Sequence, residues 1–155
     1  MNLNLIVIER VILIVTSLIA LYFAIKEKRK FPIFITTIFI LGFAMTITNI
    51  SYLILTGFIL VTLSSFLLFL FASTKNHLHL PEKMTISLTA FIIFIGNLFA
   101  ILHWSNWFQI KIISIIPLIA FILFLPYSQF RFKCELFITI TLVIAGIFRF
   151  ITLWD

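Results

Sequence analysis

The sequence predicts an all-α, polytopic integral membrane protein of six transmembrane helices, with both termini on the outer, periplasmic side. Three observations lead there. Of the 155 residues, 63% are hydrophobic and only 10% are charged, whereas a soluble domain is about half apolar and about a quarter charged. Mean hydropathy is +1.28, so lipid must be the solvent for much of the surface. The apolar residues fall into runs of roughly 18 to 23, long enough to cross a hydrocarbon core of about 30 Å. Finally, Lys and Arg concentrate in alternate connectors, as the positive-inside rule requires of cytoplasmic loops.

The first run is 3–25. It has no basic stretch before it, Glu9 and Arg10 interrupt it, and no small-residue cleavage site follows. It is therefore expected to stay as a membrane helix and not to be cleaved as a signal. The charge run KEKRK (26–30) precedes the second span, 31–48, where Pro32 sits in the first turn and its missing N–H costs little. After TNIS (48–51) comes the third span, 52–72. The longest connector, STKNHLHLPEK (73–83), leads to the fourth span, 84–102. HWSNW (103–107) turns the chain into the fifth, 108–125, in which Pro117 predicts a kink. PYSQFRFK (126–133) separates it from the sixth, 134–153. The spans form one domain, 1–155, with no length left for a soluble one.

Lys26, Lys28, Arg29, Lys30, Lys75, Lys83, Arg131 and Lys133 lie in three connectors; only Arg10, Lys111 and Arg149 lie toward the other side. That split places connectors 26–30, 73–83 and 126–135 in the cytoplasm. It also explains the net charge of +6 without nucleic acid: no basic stripe with interleaved aromatics appears. Cys134 is the single cysteine, so no intrachain disulfide or redox pair exists, and a small buried apolar role is expected. His77 and His79 form an H-x-H without further ligands at metal spacing, so no metal and no cofactor are expected. Phosphate-binding loops, nucleophile elbows and HExxH motifs are missing.

The candidate site is a polar layer near the outer face. Glu9 and Arg10 lie roughly 9 Å below the start of the first span, Lys111 about 6 Å below Trp107, and Arg149 about 9 Å below the C-terminus, at 1.5 Å per residue. His103 stands at the mouth. Long Lys and Arg side chains at such depths snorkel to the headgroups, and Trp104, Trp107 and Trp154 form an interfacial belt. Glu9 is too short to snorkel and must either protonate or find a partner. Adjacent helix positions point about 100° apart, so Arg149 or Lys111 is the expected partner in place of Arg10.

GNLFAILHWSNW (96–107) resembles a motif of the GldL family of gliding-motility and type IX secretion membrane proteins, which reads roughly Gly, two residues, Phe-Lys, two residues, His-Trp-Pro-Gly. Gly96, Phe99, His103 and Trp104 match; Ala100, Ser105 and Asn106 depart from it. The resemblance extends over about residues 96–125. It implies a bacterial inner-membrane protein of that lineage, an accessory subunit in kind. The family's returning helix carries a membrane carboxylate tied to proton-driven motor function; 108–125 has no Asp or Glu, so that function does not carry over.

The expected function is thus a non-enzymatic subunit or assembly factor of a membrane complex. Its partners would be the lipid bilayer and a membrane protein or a second copy of the chain, with no nucleic acid. A small transporter or proton-coupled protein with an outward-facing polar pocket is the alternative. A lipid-acting membrane enzyme is the third reading, disfavoured because no nucleophile–base or metal constellation is visible.

Overall fold

The computed structural model describes residues 3–48, 50–74, 79–102, 112–127 and 133–151. Among them are six α-helices and no strand: α1 Leu3–Lys26, α2 Lys30–Ile47, α3 Ser51–Thr74, α4 Leu80–Ile101, α5 Ile116–Phe124 and α6 Lys133–Ile151. A 3₁₀ turn, Leu125–Tyr127, extends α5. Five stretches, Val7–Lys26 within α1 and the whole of α2, α3, α4 and α6, are long and apolar enough to cross a membrane. Large apolar side chains such as Val11, Phe34, Leu63, Phe91 and Ile122 stand exposed around the bundle, which suits a lipid solvent and no aqueous one. The chain is a helical-bundle membrane protein.

Helix bounds depart from the sequence expectation in two instructive places. α4 starts at Leu80, four residues ahead of 84, because Pro81 fits the first turn and Glu82 accepts the His79 N–H at 3.2 Å. The fifth segment shows more than a kink. Residues 112–113 are helical, 114–115 form a turn, and α5 begins at Ile116 with Pro117 in its first turn. Proline here starts a helix, because its ring blocks continuation of the preceding turn and its own N–H is not needed. The nine residues of α5 rise only about 13.5 Å.

Neighbours in sequence pack together from α1 to α4, and α6 closes the ring between α4 and α1. α5 leans on α4 and α6. The core holds Leu13, Ile35, Phe39, Phe43, Val61, Leu68, Ile86, Ile93, Ile138 and Leu142. With lipid outside, no hydrophobic gain drives helix to helix, so close packing and hydrogen bonds must. Two glycines supply the close approach between α2 and α3. A Cβ on Gly57 would lie 2.5 Å from the Gly42 carbonyl oxygen, and one on Gly42 3.0 Å from the Gly57 oxygen. On α6, a Cβ at Gly146 would lie 2.7 Å from the Ser114 oxygen, so this glycine admits the turn that precedes α5.

Buried hydroxyls are mostly spent on their own helix. Thr36 donates to the Pro32 oxygen at 2.7 Å, Ser65 to Val61 at 2.8 Å, Thr85 to Pro81 at 2.8 Å and Thr139 to Glu135 at 2.8 Å. Such bonds satisfy the hydroxyl inside an apolar span and leave these side chains engaged. Gly57→Val should therefore lower the unfolding midpoint in detergent, by about 1–3 kcal/mol of overpacking against backbone, read by denaturant titration. An unchanged midpoint would mean that the two helices do not approach at Gly57.

Candidate functional site

Charged side chains gather at the two ends of the bundle. At the end where α1 starts and α6 stops lie Glu9, Arg10, Asn97 and Arg149. At the other, rich in Lys and called the basic end, lie Glu27, Arg29, Lys133, Cys134 and Glu135. Along α6, Glu135 and Arg149 are about 21 Å apart.

At the first end, Arg149 turns inward and donates from Nη2 to Asn97 Oδ1 on α4. Its Nη1 is shielded from solvent, so this side chain does not run up to the surface. Glu9 pairs with Arg10 at 3.4 Å, and both side chains are 13% exposed. Of the partners expected from other helices, Arg149 is near enough to Glu9 to attract it and Lys111 lies outside the described residues; the ion pair is made with the neighbour, Arg10. The 100° between the two positions is bridged by the length of the arginine. Arg10 also reaches across to α3, its guanidinium carbon 5.4 Å from the centre of the Phe58 ring, a cation–π contact in an apolar setting. Glu9 and Arg149 are close enough to attract electrostatically. Two donors in this layer, Arg10 Nε and Asn97 Nδ2, are buried without an acceptor among the described residues. His103 and Lys111, with the whole of HWSNW, lie outside the described residues.

The basic end is built from a helix stop. α1 ends with Lys28 at φ 55°, a left-handed position that favours glycine and costs a lysine about 1–2 kcal/mol. The Arg29 N–H bonds the Ala24 oxygen at 3.0 Å and the Lys28 N–H the Ile25 oxygen at 3.0 Å, the paired bonds of a Schellman turn. This turn aims Glu27 and Arg29 at the start of α6. Glu27 Oε1 accepts the Lys133 N–H at 2.9 Å. A carboxylate from the first hairpin thus caps the last helix, where its dipole favours negative charge. Arg29 forms an ion pair with Glu135, whose side chain is 3% exposed. Fully buried Cys134 places Sγ 3.0 Å from Glu27 Oε2 and 2.7 Å from Glu135 Oε2. Its one hydrogen serves one oxygen at a time.

Glu27, Cys134 and Glu135 present three ligand atoms within 4.8 Å of one another. A guanidinium already bonded to Glu135 supplies the cation that two carboxylates require, and Glu27 is committed to the α6 cap, so the cluster is organised as a clasp between helices. Sequence reasoning counted Arg29 and Lys133 only as orienting charges and Cys134 only as a small apolar residue, and gave Glu27 and Glu135 no role. The available signal was a carboxylate two residues into the last helix, opposite a basic run. Asn97 has no place in the polar layer read from the sequence; an amide inside an apolar run was the clue.

The fold and these clusters define a helical membrane protein whose charged groups join helices inside the bundle. Comparison with protein-family models, curated proteins and solved structures finds no match.

A buried thiol inside the clasp gives a direct reporter. Cys134 in the folded protein should react with a bulky maleimide at least ten-fold more slowly than after unfolding in SDS, and Glu27→Ala should speed the folded-state reaction. Equal rates in folded and unfolded chains would remove the clasp.

Proposed function

We propose that this chain is a bacterial inner-membrane protein of six spans, with both termini outside and all of 1–155 in one domain, that acts as a non-enzymatic subunit or assembly factor. The observation that carries this reading is the use of charge. Arg29, Glu135, Glu27 and Arg149 join separate elements, which makes a closed, rigid bundle with an apolar exterior suited to packing beside another membrane protein. The basic connectors support the orientation, and the resemblance of 96–107 to the GldL motif supports the lineage. The segment 108–125 supplies the fifth of the six spans in this reading.

A second reading is a small transporter or proton-coupled protein with an outward-facing pocket formed by Glu9, Arg10, His103, Lys111 and Arg149. The buried, acceptor-less Asn97 Nδ2 and Arg10 Nε beside Glu9 favour it, since polar groups held unpaired in a membrane mark ligand or proton paths.

Extraction from the membrane in lipid nanodiscs separates the two. The subunit reading expects a particle containing a second polypeptide in fixed ratio, retained in Asn97→Ala. A monomer of 18.0 kDa without a constant companion would count against it. The pocket reading expects Asn97→Ala to abolish solute or proton flux in reconstituted vesicles.

A further inference from the structure

α3 and α5 both pack against α4. A groove results, of about 380 Å³, lined by Phe69 of α3, Met84, Ser87, Leu88 and Phe91 of α4, and Phe124 of α5. Its size falls in the range of ligand pockets, roughly 300–1,000 Å³. Met84, Leu88 and Phe91 are 38–49% exposed, and the rings of Phe69 and Phe91 meet with centroids 5.4 Å apart. Counting from Leu80, the α4 floor lies about 6–16 Å below the basic end of the bundle.

Two polar features mark the groove's upper part. Ser87 Oγ is buried without a hydrogen-bond partner. Lys83 is half-buried, one helical turn nearer the surface on the same face, and has no carboxylate at ion-pair distance among the described residues. Side chains on a helix tilt toward its N-terminus, so Lys83 leans from the groove toward the headgroups. The surrounding end is positive, with Lys26, Lys28, Lys30 and Lys133 all exposed.

We propose that this groove holds one acyl chain of an anionic phospholipid, its phosphate on Lys83 and its ester carbonyl accepting from Ser87. Lys83 and Ser87 are about 6 Å apart along the helix axis, and an ester carbonyl lies a few ångströms below its phosphate. The apolar floor takes the chain, the unpaired hydroxyl takes the ester, and the unpaired ammonium takes the phosphate. A zwitterionic lipid fits the same groove but brings its own cation to Lys83.

Native mass spectrometry of the intact chain, incubated with equimolar phosphatidylglycerol and phosphatidylcholine, tests this. Wild type should retain one lipid and favour phosphatidylglycerol by about five-fold, the factor that one lysine near an anionic surface supplies. Lys83→Gln should lose the preference while still retaining a lipid, and Lys83→Arg should keep it. Ser87→Trp should lose the bound lipid with unchanged helix content. Equal retention of both lipids by wild type and Lys83→Gln would overturn the proposal, as ordinary annular lipid. So would undiminished phosphatidylglycerol on folded Ser87→Trp, or a second copy of the chain in place of lipid. Lys83→Gln sits at the surface, so its result stands even where the tryptophan variant fails to fold.

Discussion

Arg29 and Glu135 form an ion pair between residues 106 apart in sequence, at the point where α6 meets the turn after α1. Beside it, Glu27 caps α6 through the Lys133 N–H. The rest of the ring depends on this junction. α1 to α4 follow one another through connectors of three to five residues and would lie side by side in any case. α6 arrives only after α5, and something must choose α1 as its neighbour. In lipid, apolar faces do not choose, since the tails are as apolar as the side chains. A carboxylate at a helix start and a guanidinium opposite it do. An arginine suits the task because its guanidinium stays charged in such surroundings and binds a carboxylate in a fixed geometry. Once made, removal of one partner leaves a shielded charge uncompensated, at a cost of about 3–5 kcal/mol.

The opposite end obeys the same economy with a looser result. Arg149 reaches Asn97, Arg10 reaches Glu9 and the Phe58 ring, and α1, α3, α4 and α6 are drawn toward one layer. Here two donors, Arg10 Nε and Asn97 Nδ2, have no acceptor among the described residues. One end is closed by matched pairs and the other retains hydrogen-bonding capacity. Between them most buried hydroxyls bond their own helix, as Thr36, Ser65, Thr85 and Thr139 do, while Ser17, Ser87 and Thr89 have no partner among the described residues.

Much of the helical pattern was legible because apolar runs long enough to span a membrane have few other meanings. The break before α5 was half legible: Pro117 announced a discontinuity, but whether proline kinks a helix or begins one depends on whether the residues before it stay helical, and 114–115 do not. Glu9, Arg10 and Arg149 stood out as charges inside apolar runs, and depth counting put them in one layer. Their partners were not legible. The wheel angle argued against Glu9 with Arg10, yet arginine is long enough to defeat it. Asn97 carries no charge to draw attention. The clasp was hidden for a different reason: charges near a membrane surface orient helices as a sum, and a sum does not reveal that Arg29 selects Glu135. The Gly42–Gly57 approach was hidden likewise, since a glycine in an apolar run reads the same with or without a facing backbone.

The most direct test of the clasp is a double-mutant cycle on Arg29→Gln and Glu135→Gln, with unfolding followed by denaturant titration in detergent. If the pair ties α6 to the first hairpin, each single change destabilises and the double variant loses less than their sum, with a coupling of about 1–3 kcal/mol. Losses that add to within about 0.5 kcal/mol would show that the two residues act independently and that α6 finds α1 by other means.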